Sequence, residues 1–136
     1  MTIQATALVG KPWQWGGRGD PGWDCFGVMV EYFRLDGIEL PDVQRPPGAM
    51  VGQAYMDYLD KFEQLWVRVQ RPYRRRDVVL LWLPREEQFH VGVIDDDNGF
   101  WLLQATKSLG VIRHRLSSLK LPIVSVFRYR EPACCE

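Results

Sequence analysis

Hydrophobic and polar positions follow two different patterns along the chain. Up to Phe62 the apolar residues are spaced for helices, and beyond it they fall into short β-rich runs. The stretch from Thr2 to Val9 predicts a short helix. Gly16-Gly17, Gly19 and Pro21-Gly22 then break the chain into a loop rich in Gly and Trp. Asp24 is a good helix N-cap, because its carboxylate can accept from the exposed amides of a first turn. From Cys25 to Leu35 the residues Phe26, Val28, Met29, Val30, Tyr32 and Phe33 cover several helical faces, which predicts a helix buried on most sides. Gly37 is a stop signal, and Pro41, Pro46 and Pro47 make the next stretch a loop. A further helix is expected from about Ala49 to Phe62, with Met50, Ala54, Tyr55, Tyr58, Leu59 and Phe62 at helical spacing.

The second pattern comprises LWVRVQ, VVLLWL, HVGVI, FWLLQA, GVIRHRL and IVSVFRY. Asn98-Gly99, between HVGVI and FWLLQA, is a hairpin signal. The connections are too short for crossover helices, so antiparallel pairing is expected. Helices gathered at the front and five to six strands behind predict an α+β fold in one domain over residues 1–136.

Composition narrows the function. The 136 residues are 46% hydrophobic, enough for one real core. Lys plus Arg and Asp plus Glu both number 17, and this balance argues against a dedicated nucleic-acid binder. The basic run Arg71–Arg76 is short and reads as a solvated loop. No apolar run reaches the roughly 18–20 residues of a membrane helix. The N-terminus lacks the pattern of an export signal, so the chain is expected to be cytoplasmic when made. Three Cys, two of them the neighbours Cys134 and Cys135 in a tail expected to fray, suit neither a disulfide framework nor a metal site.

Cys25 follows the capping Asp24 and opens the apolar helix. A thiol there feels the positive end of the helix dipole, which favours the thiolate. First-turn amides could also hold an oxyanion. A buried Cys acting as a small hydrophobe is the competing reading, and the local sequence does not choose between them. A thiol nucleophile needs a base. His90 begins the strand HVGVI, where Gly92 leaves room for close packing. His114 stands between Arg113 and Arg115 and reads as an exposed surface residue. Gln104, on the strand joined to that of His90 through the Asn98-Gly99 turn, offers an amide oxygen that could fix the imidazole tautomer. It reads equally as an ordinary polar position. Arg18 and Asp20 could line the same cleft as these groups, but turn chemistry is the preferred reading of both.

Together these pieces resemble the NlpC-type cysteine peptidases, which cleave bacterial cell-wall peptides. The matching segments are PWQWGG, DCFGVMV, RDVVLLW, HVGVI and LLQA with GVIRHRL, in family order over roughly residues 9–116. The resemblance implies a papain-like fold, with Cys25 as nucleophile, His90 as general base and Gln104 as its orienting partner. It implies hydrolysis of a γ-D-glutamyl–diaminopimelate or similar stem-peptide bond, with no metal or organic cofactor. Trp13, Asp24 and Phe26 fall where the family's Tyr, Asp and Ser recognise the amino end of the stem peptide, so two of those three types are changed.

The short chain also resembles the phage and prophage branch of the family, which implies a tail-associated protein acting in the cell wall, with tail proteins as partners. A binding module that retains the fold for tail assembly is the alternative expectation. An amidase or acyltransferase is the lesser one.

Overall fold

A computed structural model describes residues 1–42 and 57–131. The first helix, α1 (Ile3–Leu8), starts where the Thr2 hydroxyl accepts from the Ala5 amide at 3.0 Å. Two short strands, β1 (Arg18–Gly19) and β2 (Gly22–Trp23), form a small antiparallel hairpin. Helix α2 (Cys25–Leu35) follows at once. Asp24 is extended, and its carboxylate accepts from the Gly27 amide at 2.7 Å, the capping contact expected of it. The expected helix from Ala49 begins outside the described residues; residues 57–61 of it are helical. Cys134 and Cys135 also lie outside the described residues.

Six strands make the main sheet: β3 (Trp66–Arg68), β4 (Val78–Leu83), β5 (Gln88–Ile94), β6 (Trp101–Thr106), β7 (Gly110–Arg115) and β8 (Ile123–Tyr129). Their order is β3-β8-β4-β5-β6-β7, and every pairing is antiparallel. The run VVLLWL lacks alternation because β4 is buried on both faces. Val78 and Leu80 join the core beneath α2, with Phe33 and Met29, whereas Val79 and Leu81 join a second cluster with Ile94, Leu102 and Val126. Each such side chain contributes about 1.5–3 kcal/mol on burial. The α2 core is closed by Phe33, Trp66 and Tyr129, whose ring centroids are 5.8 Å apart in edge-to-face pairs. In the β5–β6 connection Gly99 adopts φ 76°, the left-handed conformation the Asn98-Gly99 pair signals.

Two close approaches fix the start of α2. The Asp24 amide donates to the Gly17 carbonyl at 3.2 Å. A Cβ on Gly27 would stand 2.1 Å from that same carbonyl oxygen, so the loop can lie against the helix only because residue 27 has no side chain. Gly27→Ala is therefore expected to destabilise the protein by about 1–3 kcal/mol, the usual cost of forced overpacking. Urea unfolding measures this, and an unchanged midpoint would contradict the close approach.

Candidate active site

The loop before α2 and strands β5 and β6 converge on the first residue of α2. β5 and β6 pair at Val93↔Leu103 and Ile94↔Leu102, and this ladder does not continue to His90. There the imidazole of His90 and the amide of Gln104 meet, with His90 Nε2 2.7 Å from Gln104 Oε1. The oxygen can only accept, so Nε2 carries the proton. The Cys25 thiol is the other hydrogen-bonding partner of His90. With Nε2 engaged, Nδ1 is the ring nitrogen left to receive the thiol proton. Sulfur, imidazole and amide thus form one chain of contacts, and all three residues are buried.

Burial works against a charge on His90 and lowers its pKa. The Cys25 thiolate, the Gln104 oxygen and the Asp24 carboxylate act the other way and prevail, so the pKa stands above the ordinary imidazole value. The same attraction favours the thiolate of Cys25, which also sits at the positive end of α2.

These groups open onto a cleft of about 390 Å³, walled by Trp13, Trp15, Gln88, Phe89 and Lys107 as well as by the chain of contacts itself. Trp13 is positioned from two sides. It bridges to Trp23 in the small hairpin, and the preceding Gly10 and Lys11 exchange backbone hydrogen bonds with Val111 of β7. Trp15 packs 6.4 Å from Trp13 between ring centroids, and the Lys107 ammonium lies 5.5 Å from the Trp13 ring.

The site residues expected from the sequence divide. Cys25, His90, Gln104, Trp13 and Asp24 come together at the cleft. Phe26 does not: it is turned into the core, edge-on to Tyr58 at 4.9 Å. An apolar ring two residues past the cap gains more from the α2 core than from a wet cleft, so a direct substrate contact for Phe26 is corrected. Asp24 borders the cleft, but its Oδ1 both caps Gly27 and binds Arg18 Nη1, each at 2.7 Å. Arg18, read as turn chemistry, is a bridge, because its Nε also reaches Asp42 at 2.8 Å. Burial opposes its charge, but Asp42 and Asp24 outweigh that and raise its pKa.

His114 corrects the sequence reading most. It is half-buried rather than exposed, and its Nε2 lies 2.7 Å from Gln104 Nε2. The strand period held the signal. Arg113 and Arg115 share one face of β7, over Trp101, and His114 points to the other. Among the described residues, no cluster of three His, Cys, Asp or Glu could hold a metal ion, and no helix is long and apolar enough to cross a membrane.

Comparison with known proteins bears on the family and the fold. Residues 10–124 match the model of the NlpC/P60 family. A search of curated proteins finds no match. Among solved structures, the chain is similar to NlpC2 of Trichomonas vaginalis, with TM-score 0.67 and 16% identity over 92% of this chain and 44% of that one. It is similar to an NlpC/P60 family protein of Bacillus cereus, with TM-score 0.64 and 17% identity over 92% and 37%. It is also similar to the NlpC/p60 domain of the peptidoglycan hydrolase SagA, with TM-score 0.55 and 20% identity over 88% and 90%. The chain thus spans less than half of the first two proteins. At these identities the structures speak for the fold, an α+β arrangement of helices on a six-stranded antiparallel sheet. With 115 consecutive residues matched and the cysteine, the histidine and the amide in contact, the chain belongs to the NlpC/P60 family, whose members are generally cell-wall peptidases or hydrolases.

Proposed function

We propose that the protein is a cysteine endopeptidase that hydrolyses peptidoglycan stem peptides at a γ-D-glutamyl–diaminopimelate type of bond. The observation that carries the proposal is His90, held between the Cys25 thiol and the Gln104 oxygen at the head of an open cleft.

The chemistry follows from the proton positions. The Cys25 thiol gives its proton to His90 Nδ1, and the thiolate attacks the amide carbon. The C=O π electrons move to oxygen, and the Cys25 backbone N–H, at the first position of α2, helps to hold that negative charge. The C–N bond then breaks as the imidazolium protonates the departing nitrogen, which leaves a thioester. His90 next takes a proton from water, the hydroxide adds to the thioester, and the C–S bond breaks to release the acid and the thiol. Gln104 keeps Nε2 protonated throughout and stabilises the imidazolium. Trp13, Asp24 and the cleft wall are proposed to orient the stem peptide, and no cofactor enters any step.

Digestion of purified sacculi followed by mass analysis of the muropeptides tests the proposal. The expected result is a new free amino group on diaminopimelate, and intact muropeptides at high enzyme concentration would overturn it. The sign of the His90 shift gives a pH prediction. A raised pKa means that the imidazolium survives to higher pH and is lost by deprotonation as pH rises. The alkaline limb of kcat/KM is thus expected above the ordinary imidazole value of 6.5, and a pH–rate profile on a soluble stem peptide measures it.

Residence in a phage or prophage tail, delivering this activity to a cell wall, is part of the proposal and rests on the resemblance of the chain to that branch. Immunodetection in purified particles checks it, and absence from particles would refute it. A second reading, a tail-assembly module without activity, draws on one observation: the Asp24 carboxylate already serves Gly27 and Arg18.

A further inference from the structure

We infer that His114 is a positioning residue of this site: as a neutral imidazole it fixes the orientation of the Gln104 amide, and through it the tautomer of His90. The inference rests on the hydrolase reading above and adds a fourth member to its hydrogen-bond chain. Gln104, buried on β6, lies between two imidazoles, with Oε1 2.7 Å from His90 Nε2 and Nε2 2.7 Å from His114 Nε2. The two ends of an amide are not interchangeable, because the nitrogen only donates and the oxygen only accepts. An NH₂ aimed at His114 needs a lone pair there, so the ring proton of His114 must sit on Nδ1. That atom lies 3.0 Å from the Arg115 carbonyl oxygen, which can only accept. The Ser118 hydroxyl, 3.4 Å from Nδ1, commits its own hydrogen to the same carbonyl at 2.7 Å.

The reverse arrangement fails at its far end. If the amide turned over, its NH₂ would face His90 Nε2 and force the His90 proton onto Nδ1, where it would block uptake of the thiol proton. His114 would then have to protonate Nε2, and its bare Nδ1 would oppose the Arg115 carbonyl. Two acceptors at 3.0 Å repel, so a backbone carbonyl on β7 sets the direction of every hydrogen bond up to Cys25. The sheet register supplies the placement. His114 pairs with Leu102 across β6, and Gln104 is two residues further along the same face.

The first test needs no variant. Nitrogen-15 NMR of the wild-type histidine rings is expected to show His114 protonated at Nδ1 and His90 at Nε2, and the opposite tautomers would overturn the inference. The second reads the alkylation rate of Cys25 by iodoacetamide, followed by mass spectrometry of its peptide. His114→Leu, which offers no acceptor, is expected to react about tenfold more slowly, a part of the ~10²–10⁴ a general base supplies. His114→Gln restores an acceptor and is expected to recover most of the rate, whereas His114→Lys, a donor only, should be slower than His114→Leu. Equal rates for the three variants would overturn the inference while His90→Ala remained slow. A wild-type rate in His90→Ala would instead remove the hydrolase reading, and this inference with it.

Discussion

Cys25→Ala is expected to lower stem-peptide cleavage by about 10⁴-fold or more, with the fold intact. The size follows from what the sulfur does. It is the attacking atom and the source of the proton that His90 passes to the leaving amine. Without it His90 can only activate water, and what remains is binding and the backbone amide at the helix start. Stability is expected to change little, because the substitution removes one atom from a residue bordering a cleft and leaves the Asp24 cap in place. Thermal unfolding of the variant beside sacculus digestion separates the two effects. Wild-type cleavage by Cys25→Ala would end the peptidase reading. A wild type with no activity, whose particles assemble equally with Cys25→Ala, would favour the binding module.

The sequence announced the centre of this site because its signals are local. Asp24 caps and Cys25 begins the helix within three residues, and HVGVI and FWLLQA are adjacent strands joined by a legible turn. The helix Cys25–Leu35 and the six-stranded sheet have the same origin, in an N-cap, an apolar helix and β-rich runs. The contacts that escaped depend on pairing between distant segments. The hairpin of β1 and β2 is two residues per strand, too short for any period to register. Arg18 acquires its role only when that hairpin folds and brings it to Asp24 and Asp42. The side of α2 that Phe26 takes was hidden because the helix is apolar nearly all round. His114 was masked by its neighbours: a polar run read as one surface stripe, although period two sends the histidine away from both arginines.

Those distant contacts also decide whether the thiol meets its base, and Asp95 is where the largest loss of stability is expected. Its side chain is fully buried at the end of β5 and gathers three elements. Oδ1 accepts from the Tyr32 hydroxyl of α2 at 2.7 Å and from the Thr2 hydroxyl that caps α1, and Oδ2 accepts from Arg113 Nε of β7 at 2.6 Å. Arg113 is itself mostly buried. Asp95→Ala therefore removes the carboxylate from under a mostly buried guanidinium and a fully buried phenol, and the phenol cannot recover a water partner without opening the core. Breaking a buried pair from one side costs about 3–5 kcal/mol, and urea unfolding of the variant is expected to show a loss of that size. Asp96, next along the chain, is a stringent control. Its carboxylate accepts from the Phe100 and Trp101 amides of the hairpin connection and is not buried against a guanidinium, so Asp96→Ala should cost clearly less. Because Tyr32 is seven residues from Cys25 on the same helix, loosening it also frees the helix that carries the sulfur. Iodoacetamide labelling of Asp95→Ala under native conditions should then show Cys25 less selectively reactive relative to Cys134 and Cys135. An Asp95→Ala protein as stable as wild type would show that α2 is held on the sheet by apolar packing alone.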